Sequence, residues 1–329
     1  MFILSDKKEI IEIDGSHGEG GGQVIRTALS LSAITKKSVR IFNIRAGRPN
    51  PGLQAQHLTA CKAVRNICRG TLEGAELKSS ELIFHPGEIV GGNYEFNIGT
   101  AGSVCLVAQT LLPILLFATK PSLIKIIGGT HVIKSPSYDY FEKIFISAIA
   151  KFGIEAKAKM IKPGYYPQGG GEIEVEINPG TLKSCNDWSA SSNIQVLIRL
   201  SQLPTGIAIR EKKIFVQNNI KEIFVRENAA LDPANALIIW QGLKGISSLG
   251  EKGKRAEQVA QDALDEFKLE TGEVDKHLAD QLLIYAALAE GKSVFKTSEI
   301  TEHFRTNLEI IKKFIDRKIE VDGNTATIH

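Results

Sequence analysis

Two stretches of this 329-residue chain carry side chains that could do chemistry together. One is the glycine-rich turn Gly18-Glu19-Gly20-Gly21-Gly22-Gln23 near the start. The other is His303, near the end. Backbone N–H groups at a helix N-terminus attract anions, and glycine lets a phosphate approach the chain closely. Imidazole titrates near neutrality and can act as a nucleophile. A carboxylate inside a phosphate-binding turn is repulsive unless a divalent cation lies between, so Glu19 points to Mg²⁺ or Mn²⁺. The turn is not a Walker loop, because no Gly-Lys-Ser/Thr follows, and no acidic ribose binder completes a dinucleotide fingerprint. Read alone, the glycines are equally a packing turn, and His303 equally a surface histidine.

Other polar residues fall at related places. Arg26 follows the turn. Arg45 and Arg48 lie in a loop before the second helix, with Gln56 on that helix's first turn, and guanidinium forks suit phosphate oxygens. A solvated loop is the plainer reading. Gln109 and the pair Asp280-Gln281 occupy the same kind of helix as Gln23 in later parts of the chain, where helix capping is the competing explanation. His17, His57, His131 and His277 are too scattered for a metal motif. Cys61, Cys68, Cys105 and Cys185 form no CxxC pair and read as buried thiols in a reducing compartment.

These residues need elements to hold them, and the pattern of elements repeats. A strand over Glu9–Asp14, a helix over Gln23–Ile34, a strand over Ser38–Ile44, a helix over Leu53–Cys68 and short strands at Thr71–Leu77 and Glu81–His85 make the first unit. The second has a strand at Tyr94–Ile98, Ser103 as helix N-cap, and a helix from Val104 kinked or stopped near Pro113. It continues with a strand at Ser122–Gly128, a helix at Tyr138–Phe152 and a closing strand at Ala156–Ile161. A third copy opens at Gly169 with a strand over Glu172–Ile177. Its helix, expected near residue 183 from the period of about 80 residues, begins instead near His277. Ser293–Ser298, Thr301–Phe314 and the hairpin Lys318–Val321 with Thr325–Ile328 complete it. Between them, roughly 90 residues, Leu182 to Thr271, form an insert large enough for a core of its own. Within it Asn193–Arg199, Ile207–Arg210 and Ala236–Trp240 read as strands, and Lys221–Glu227 and Glu257–Phe267 as helices. The expected fold is therefore α/β (α+β), with three repeated units about a pseudo-threefold axis. The large domain spans 1–182 and 272–329, and a small α/β domain, 183–271, is inserted in the third repeat.

Composition restricts the alternatives. The chain has 43% hydrophobic and 23% charged residues, which is ordinary for a soluble protein, and a net charge of +3 that neither demands nor excludes nucleic acid. A local basic cluster (Arg40, Arg45, Arg48, Lys62, Arg65, Arg69) matters more. Met1–Lys8 lacks the form of a signal peptide, and the longest apolar run, Leu111–Phe117, is too short for a bilayer. A cytoplasmic protein without a membrane segment is expected.

The ordered set of motifs resembles the RNA 3′-terminal phosphate cyclase family along almost the whole chain. It comprises Asp14-Gly15 and Gly18 through Arg26, Ile44-Arg45-Ala46-Gly47-Arg48, Pro51-Gly52-Leu53, Gln56 through Ala60, Gly99 through Ser103, Gln109-Thr110 and Gly128-Gly129-Thr130. Tyr166 through Gly171, Leu278-Ala279-Asp280-Gln281, His303 and Thr306-Asn307 follow. The resemblance implies three units of a four-stranded sheet plus two helices with an insert in the third. It also implies an ATP-dependent enzyme that converts an RNA 3′-phosphate to a 2′,3′-cyclic phosphodiester. His303 would be the nucleophile and form histidyl-AMP, from which AMP passes to the RNA end to give RNA-(3′)pp(5′)A. Gln109, His277, Leu278, Ala279, Asp280 and Gln281 would bind ATP, and Arg26, Arg45, Arg48 and Gln56 the phosphates of ATP or the RNA end. Glu19 would hold the divalent ion. A homodimer is compatible with the resemblance. The chain departs from the family pattern at His131, where an aspartate often follows Gly-Gly-Thr, and at Pro163, where a basic residue often precedes the glycine. Two rivals are a catalytically silent relative serving ribosome assembly, against which His303 argues, and an enolpyruvyl-transferase-like enzyme, which lacks the glycine-and-histidine constellation.

Overall fold

The computed structural model describes residues 10–329. The Met1–Lys8 segment, and Glu9 of the first expected strand, lie outside the described residues.

Each repeated unit builds one small sheet with two helices against it. In the first, β1 (Ile11–Asp14), α1 (Gly22–Thr35), β2 (Val39–Phe42), α2 (Ala55–Ile67), β3 (Thr71–Glu73) and β4 (Leu82–His85) give a sheet of order β1-β2-β4-β3. In the second, β5 (Asn93–Asn97) and α3 (Val104–Leu115) precede β6 (Ser122–Gly128). A continuous helical run then passes from α4 (Tyr138–Tyr140) through a π turn (Phe141–Phe145) into α5 (Ile146–Ala150). With β7 (Ala156–Lys162) and β8 (Gly171–Ile177) the second sheet has the order β5-β6-β8-β7. In both, the first two strands are parallel and the remaining pairings antiparallel.

This topology corrects the expected boundary between units. Glu172–Ile177 does not open the third copy. It is the body of β8, hydrogen-bonded between β6 and β7. In both units two strands follow the second helix, the last of them pairing with the unit's second strand and the one before it lying at the edge, whereas only one is expected from the sequence in the second unit. Pro113 lies inside α3, which ends two residues further on, at Leu115.

The insert contains β9 (Gln195–Ser201), α6 (Gly206–Gln217), β10 (Glu222–Glu227), β11 (Ala234–Gln241), β12 (Lys244–Leu249) and α7 (Ala256–Leu269), with sheet order β10-β9-β11-β12. Two expectations here are reversed. Ile207–Arg210 lies in α6, whose buried residues Ala208, Glu211 and Phe215 follow helical spacing rather than the local alternation. Lys221–Glu227 covers an edge strand, in which the run Ile223-Phe224-Val225 between charged residues shows no period-2 alternation. Strand β12 was not expected at all.

Alternation in the insert's inner strands divides two cores. Val196, Ile198, Leu200, Leu237 and Ile239 join α6 and α7 in a cluster confined to the insert. Leu197, Ile238, Trp240 and Leu243 belong to the main cluster, which runs from Ile13 to Ile328. The insert's sheet thus has its own helices on one face and the rest of the protein on the other.

The third unit resumes with α8 (Lys276–Leu288), β13 (Ser293–Lys296), α9 (Glu302–Phe314), β14 (Ile319–Asp322) and β15 (Thr325–Ile328), in the order β13-β15-β14. The missing first strand is present in two halves. Lys183 bridges Glu290 in parallel, and Cys185 O accepts from Val294 N at 3.2 Å. The chain then leaves for the insert and returns so that Val274 bridges Thr297, again in parallel. The insert therefore interrupts the edge strand itself. Among the described residues no helix is long and apolar enough to cross a membrane.

Candidate active site

The glycine-rich turn and His303 meet because α1 packs on α9. Helix α9 buries Phe304, Asn307, Ile310, Ile311 and Phe314, one face of a helix, and Thr301 caps it by accepting from Phe304 N at 3.1 Å. Gly18, at φ +59°, sits so close to α9 that a Cβ would come within 2.2 Å of Thr306 Oγ1. Only glycine fits there, and that contact beds the turn against the helix carrying His303.

The side chains then converge. Glu19 Oε1 lies 2.7 Å from His303 Nδ1, and its other oxygen lies 3.4 Å from Arg48 Nη2. Gln23 Nε2 donates to the His303 carbonyl at 2.7 Å. Because Nδ1 is engaged by a carboxylate, the neutral tautomer with its proton on Nδ1 leaves Nε2 with a free lone pair on a side chain that is 42% exposed. The N-terminus of α1 begins at Gly21 with no side-chain cap and no acidic residue in its first turn. Its first amides are therefore free to meet an anion.

From α1 the site extends to the other two units. Arg26 is half-buried, and loss of water pulls its pKa down to about 10 despite the charge of Asp280. Burial pushes Asp280 up to about 8, against the pull of Arg26 and with repulsion from Asp275 and Glu19. Asn307 Nδ2 donates to the Asp280 carbonyl at 3.0 Å and its oxygen accepts from Thr27 at 2.7 Å, tying α8, α9 and α1 together. Gln109 donates to Gln281 at 2.6 Å, joining α3 to α8. Gln56 accepts from Ser103 N at 2.9 Å and lines a narrow crevice with Arg26 and His57. Burial, with Arg26 and Arg45 nearby, lowers the His57 pKa to about 3. That imidazole is neutral, and its Nδ1 accepts from Gln54 N at 3.2 Å.

Not every expected residue reaches the centre with its side chain. Leu278 and Ala279 are fully buried in the main core, so only their backbone could face a nucleotide. Arg45 spends one nitrogen on the carbonyls of Asn50 and Gly52, bracing its own loop. The first-turn amides of α8 are taken by carboxylates. Lys276 N donates to Glu270 at 3.1 Å, and His277 N and Leu278 N to Asp275 at 3.0 and 2.8 Å. Unlike α1, α8 offers no open N-terminus. Asp275 was not picked out from the sequence, although an aspartate just ahead of an apolar helix is an N-cap signal.

The described residues contain no cluster of three His, Cys, Asp or Glu able to hold a metal. Glu19 places a single carboxylate beside the imidazole. His131, where the family pattern departs, is buried. Its Nε2 lies 2.9 Å from Asp139 Oδ2, and Thr130 hydroxyl lies 2.7 Å from its Nδ1. It serves an ion pair described below rather than the cleft.

Comparison with known proteins gives the same assignment across the chain. A family model described as RNA 3′-terminal phosphate cyclase matches residues 17–321. An RNA 3′-terminal phosphate cyclase of Archaeoglobus fulgidus is 40% identical over 97% of this chain and 100% of its own length. One from Sulfurisphaera tokodaii is 45% identical over 97% of this chain and 98% of its own, and one from Saccharolobus islandicus 44% identical over 95% and 97%.

Proposed function

The chain belongs to the RNA 3′-terminal phosphate cyclase family of enzymes, and we propose that it closes RNA 3′-phosphates to 2′,3′-cyclic phosphodiesters through an AMP adduct on His303. The observation that carries this reading is the 2.7 Å contact between Glu19 and His303 Nδ1, which leaves Nε2 as the nucleophile.

In the first step the Nε2 lone pair attacks the α-phosphorus of ATP. The N–P bond forms, the bond to the bridging oxygen breaks, and pyrophosphate leaves. The imidazole becomes cationic, and Glu19 stabilises it through the Nδ1–H. In the second step an oxygen of the RNA 3′-phosphate attacks the adduct, the N–P bond breaks, and neutral imidazole returns. The vicinal 2′-OH then attacks the RNA phosphorus, AMP leaves, and the hydroxyl proton passes to water. Each step gathers negative charge on phosphorus, which fixed donors stabilise. The open amides of α1, with Arg26, Arg48 and Gln56, would do that work, and Arg45 would support their loop. A divalent ion arriving with ATP would rest on Glu19 and neutralise phosphate charge. His277, Asp280, Gln281 and Gln109, with the backbone of Leu278 and Ala279, would hold the nucleotide. Residues 183–271 are the smaller domain in this reading. The four buried free thiols suit a reducing compartment, the cytoplasm.

Incubation with ATP and Mg²⁺ followed by mass spectrometry tests the proposal. One acid-labile, alkali-stable AMP per chain on His303 is expected, and none on His303→Ala. Full labelling of that variant would refute the assignment.

A further inference from the structure

Outside the cleft, one buried carboxylate touches three parts of the protein. Asp275 is fully buried. Its Oδ1 caps α8 by accepting from the amides of His277 and Leu278. The Tyr140 hydroxyl, from the helical run of the second unit, lies 2.8 Å from both of its oxygens. Oδ2 also accepts from Gly245 N of the insert at 3.1 Å. Gly245 is held there by close packing, since a Cβ would come within 2.3 Å of Ile144 in the π turn. The amides of His277, Leu278 and Gly245 and the Tyr140 hydroxyl all donate to it, and burial pushes its pKa up to about 7 against the pull of these bonds.

We propose that Asp275 is a positioning residue for adenylylation, fixing the first turn of α8 against the second unit and the insert so that His277, Asp280 and Gln281 face ATP. The inference rests on the cyclase reading above. It gives the insert a part in ATP binding without contact with ATP. Arg48 and Gln56, which would hold phosphates of ATP or the RNA end, sit on other elements than α8, so an RNA 3′-phosphate should respond less than ATP when Asp275 is changed.

Asp275→Asn separates capping from anchoring. Asparagine caps a helix about as well as aspartate. Its NH₂, however, would meet the Gly245 N–H donor to donor in a buried place. The apparent KM for ATP should rise about tenfold, the scale of leaving one buried donor without an acceptor. The KM for an oligoribonucleotide 3′-phosphate should stay within about twofold of wild type, because Asp275 anchors the first turn of α8 and not the loop of Arg45 and Arg48. Tyr140→Phe should raise the ATP KM about threefold, and the double variant should be no worse than Asp275→Asn, as expected for one shared network. A purely structural role would lower thermal stability without this split between substrates. An unchanged ATP KM in folded Asp275→Asn, an equal rise in both KM values, or additive effects would overturn the proposal. If Asp275→Asn does not fold, an unchanged ATP KM in Tyr140→Phe overturns it alone. Wild-type protein assayed in parallel keeps the two ideas apart. No AMP adduct there refutes the cyclase reading and this inference with it, whereas a normal wild-type adduct with unaltered variants refutes only the positioning role.

Discussion

Arg199→Met should cost the folded protein about 3–5 kcal/mol at neutral pH, the range for removing one partner of a buried ion pair. Arg199, on β9 of the insert, reaches Asp139 of the second unit with two nitrogens, at 2.6 and 2.7 Å. Both residues are buried, Arg199 to 9% and Asp139 to 3% exposure, so solvent screens the pair little. Burial alone would raise the Asp139 pKa, but hydrogen bonds from His131 and Arg199 outweigh it and hold the carboxyl below its usual range. Methionine fills much of the space and returns neither charge nor donors. The remaining carboxylate would keep only its bond to His131. Adding Asp139→Asn removes the stranded charge and should reduce the total cost to about 1–2 kcal/mol, a non-additivity diagnostic of direct contact. A depressed carboxyl pKa stabilises above its unfolded value, and that contribution is lost as pH falls through the folded value. The gap between wild type and Arg199→Met should therefore narrow as the solution is acidified. Urea denaturation followed by circular dichroism, at neutral pH and at successively lower pH, measures all of this. A single variant within about 1 kcal/mol of wild type would show that the pair is solvated and that the reasoning fails.

Two further outcomes are expected. Replacing residues 190–270 with a glycine–serine linker should give a molten or aggregating product that binds a hydrophobic dye, because Leu197, Ile238, Trp240 and Leu243 would no longer cover the main core. A cooperative, dye-silent product would show that the body stands alone. Because the His57 pKa is held near 3, the unfolded chain takes up a proton below pH 6.5 that the folded chain refuses. Stability should therefore fall, by at most about 1.4 kcal/mol per pH unit from this group, as pH drops from 6.5 towards 3. His57→Gln should flatten that slope, and equal slopes in the two proteins would exclude His57 as its source.

The sequence made the outer units legible because their helices carry strong apolar stripes. Val24, Ile25, Ala28 and Leu29 mark α1, and Phe304, Ile310, Ile311 and Phe314 mark α9. Ser103 and Thr301 stand where α3 and α9 need caps, and both accept from a backbone amide of the first turn. Pairing was less legible. Whether β8 finishes one unit or starts another is decided by register with β6 and β7, which no local window contains. In the insert, isoleucines at the alternate positions 207 and 209 suggested a strand, and the helix follows from the burial of Ala208, Glu211 and Phe215 at helical spacing. The cleft was visible as residue types in repeated positions, with the resemblance supplying their roles. The contact between Glu19 and His303 needs a chain reversal across nearly the whole protein, and the anchoring of Asp275 needs three units at once. Neither is written in any one segment.

The divided edge strand has a consequence for the order in which the protein can form during synthesis. The first two sheets close within contiguous stretches, residues 11–85 and 93–177. The third cannot. Lys183 and Cys185 emerge long before Glu290 and Val294, their partners, and Trp188 waits for the Val294 carbonyl that its ring nitrogen will donate to at 2.6 Å. At about 5–20 residues per second, the intervening hundred or so residues keep these apolar side chains waiting roughly 5–20 s. During that interval the insert has time to fold on its own cluster, and its arrival beside Asp139 would bring the two strand halves into line for β13. The last unit is then assembled around a module already formed, and a ribosome pausing before residue 293 would hold the chain with two sheets closed and His303 not yet made.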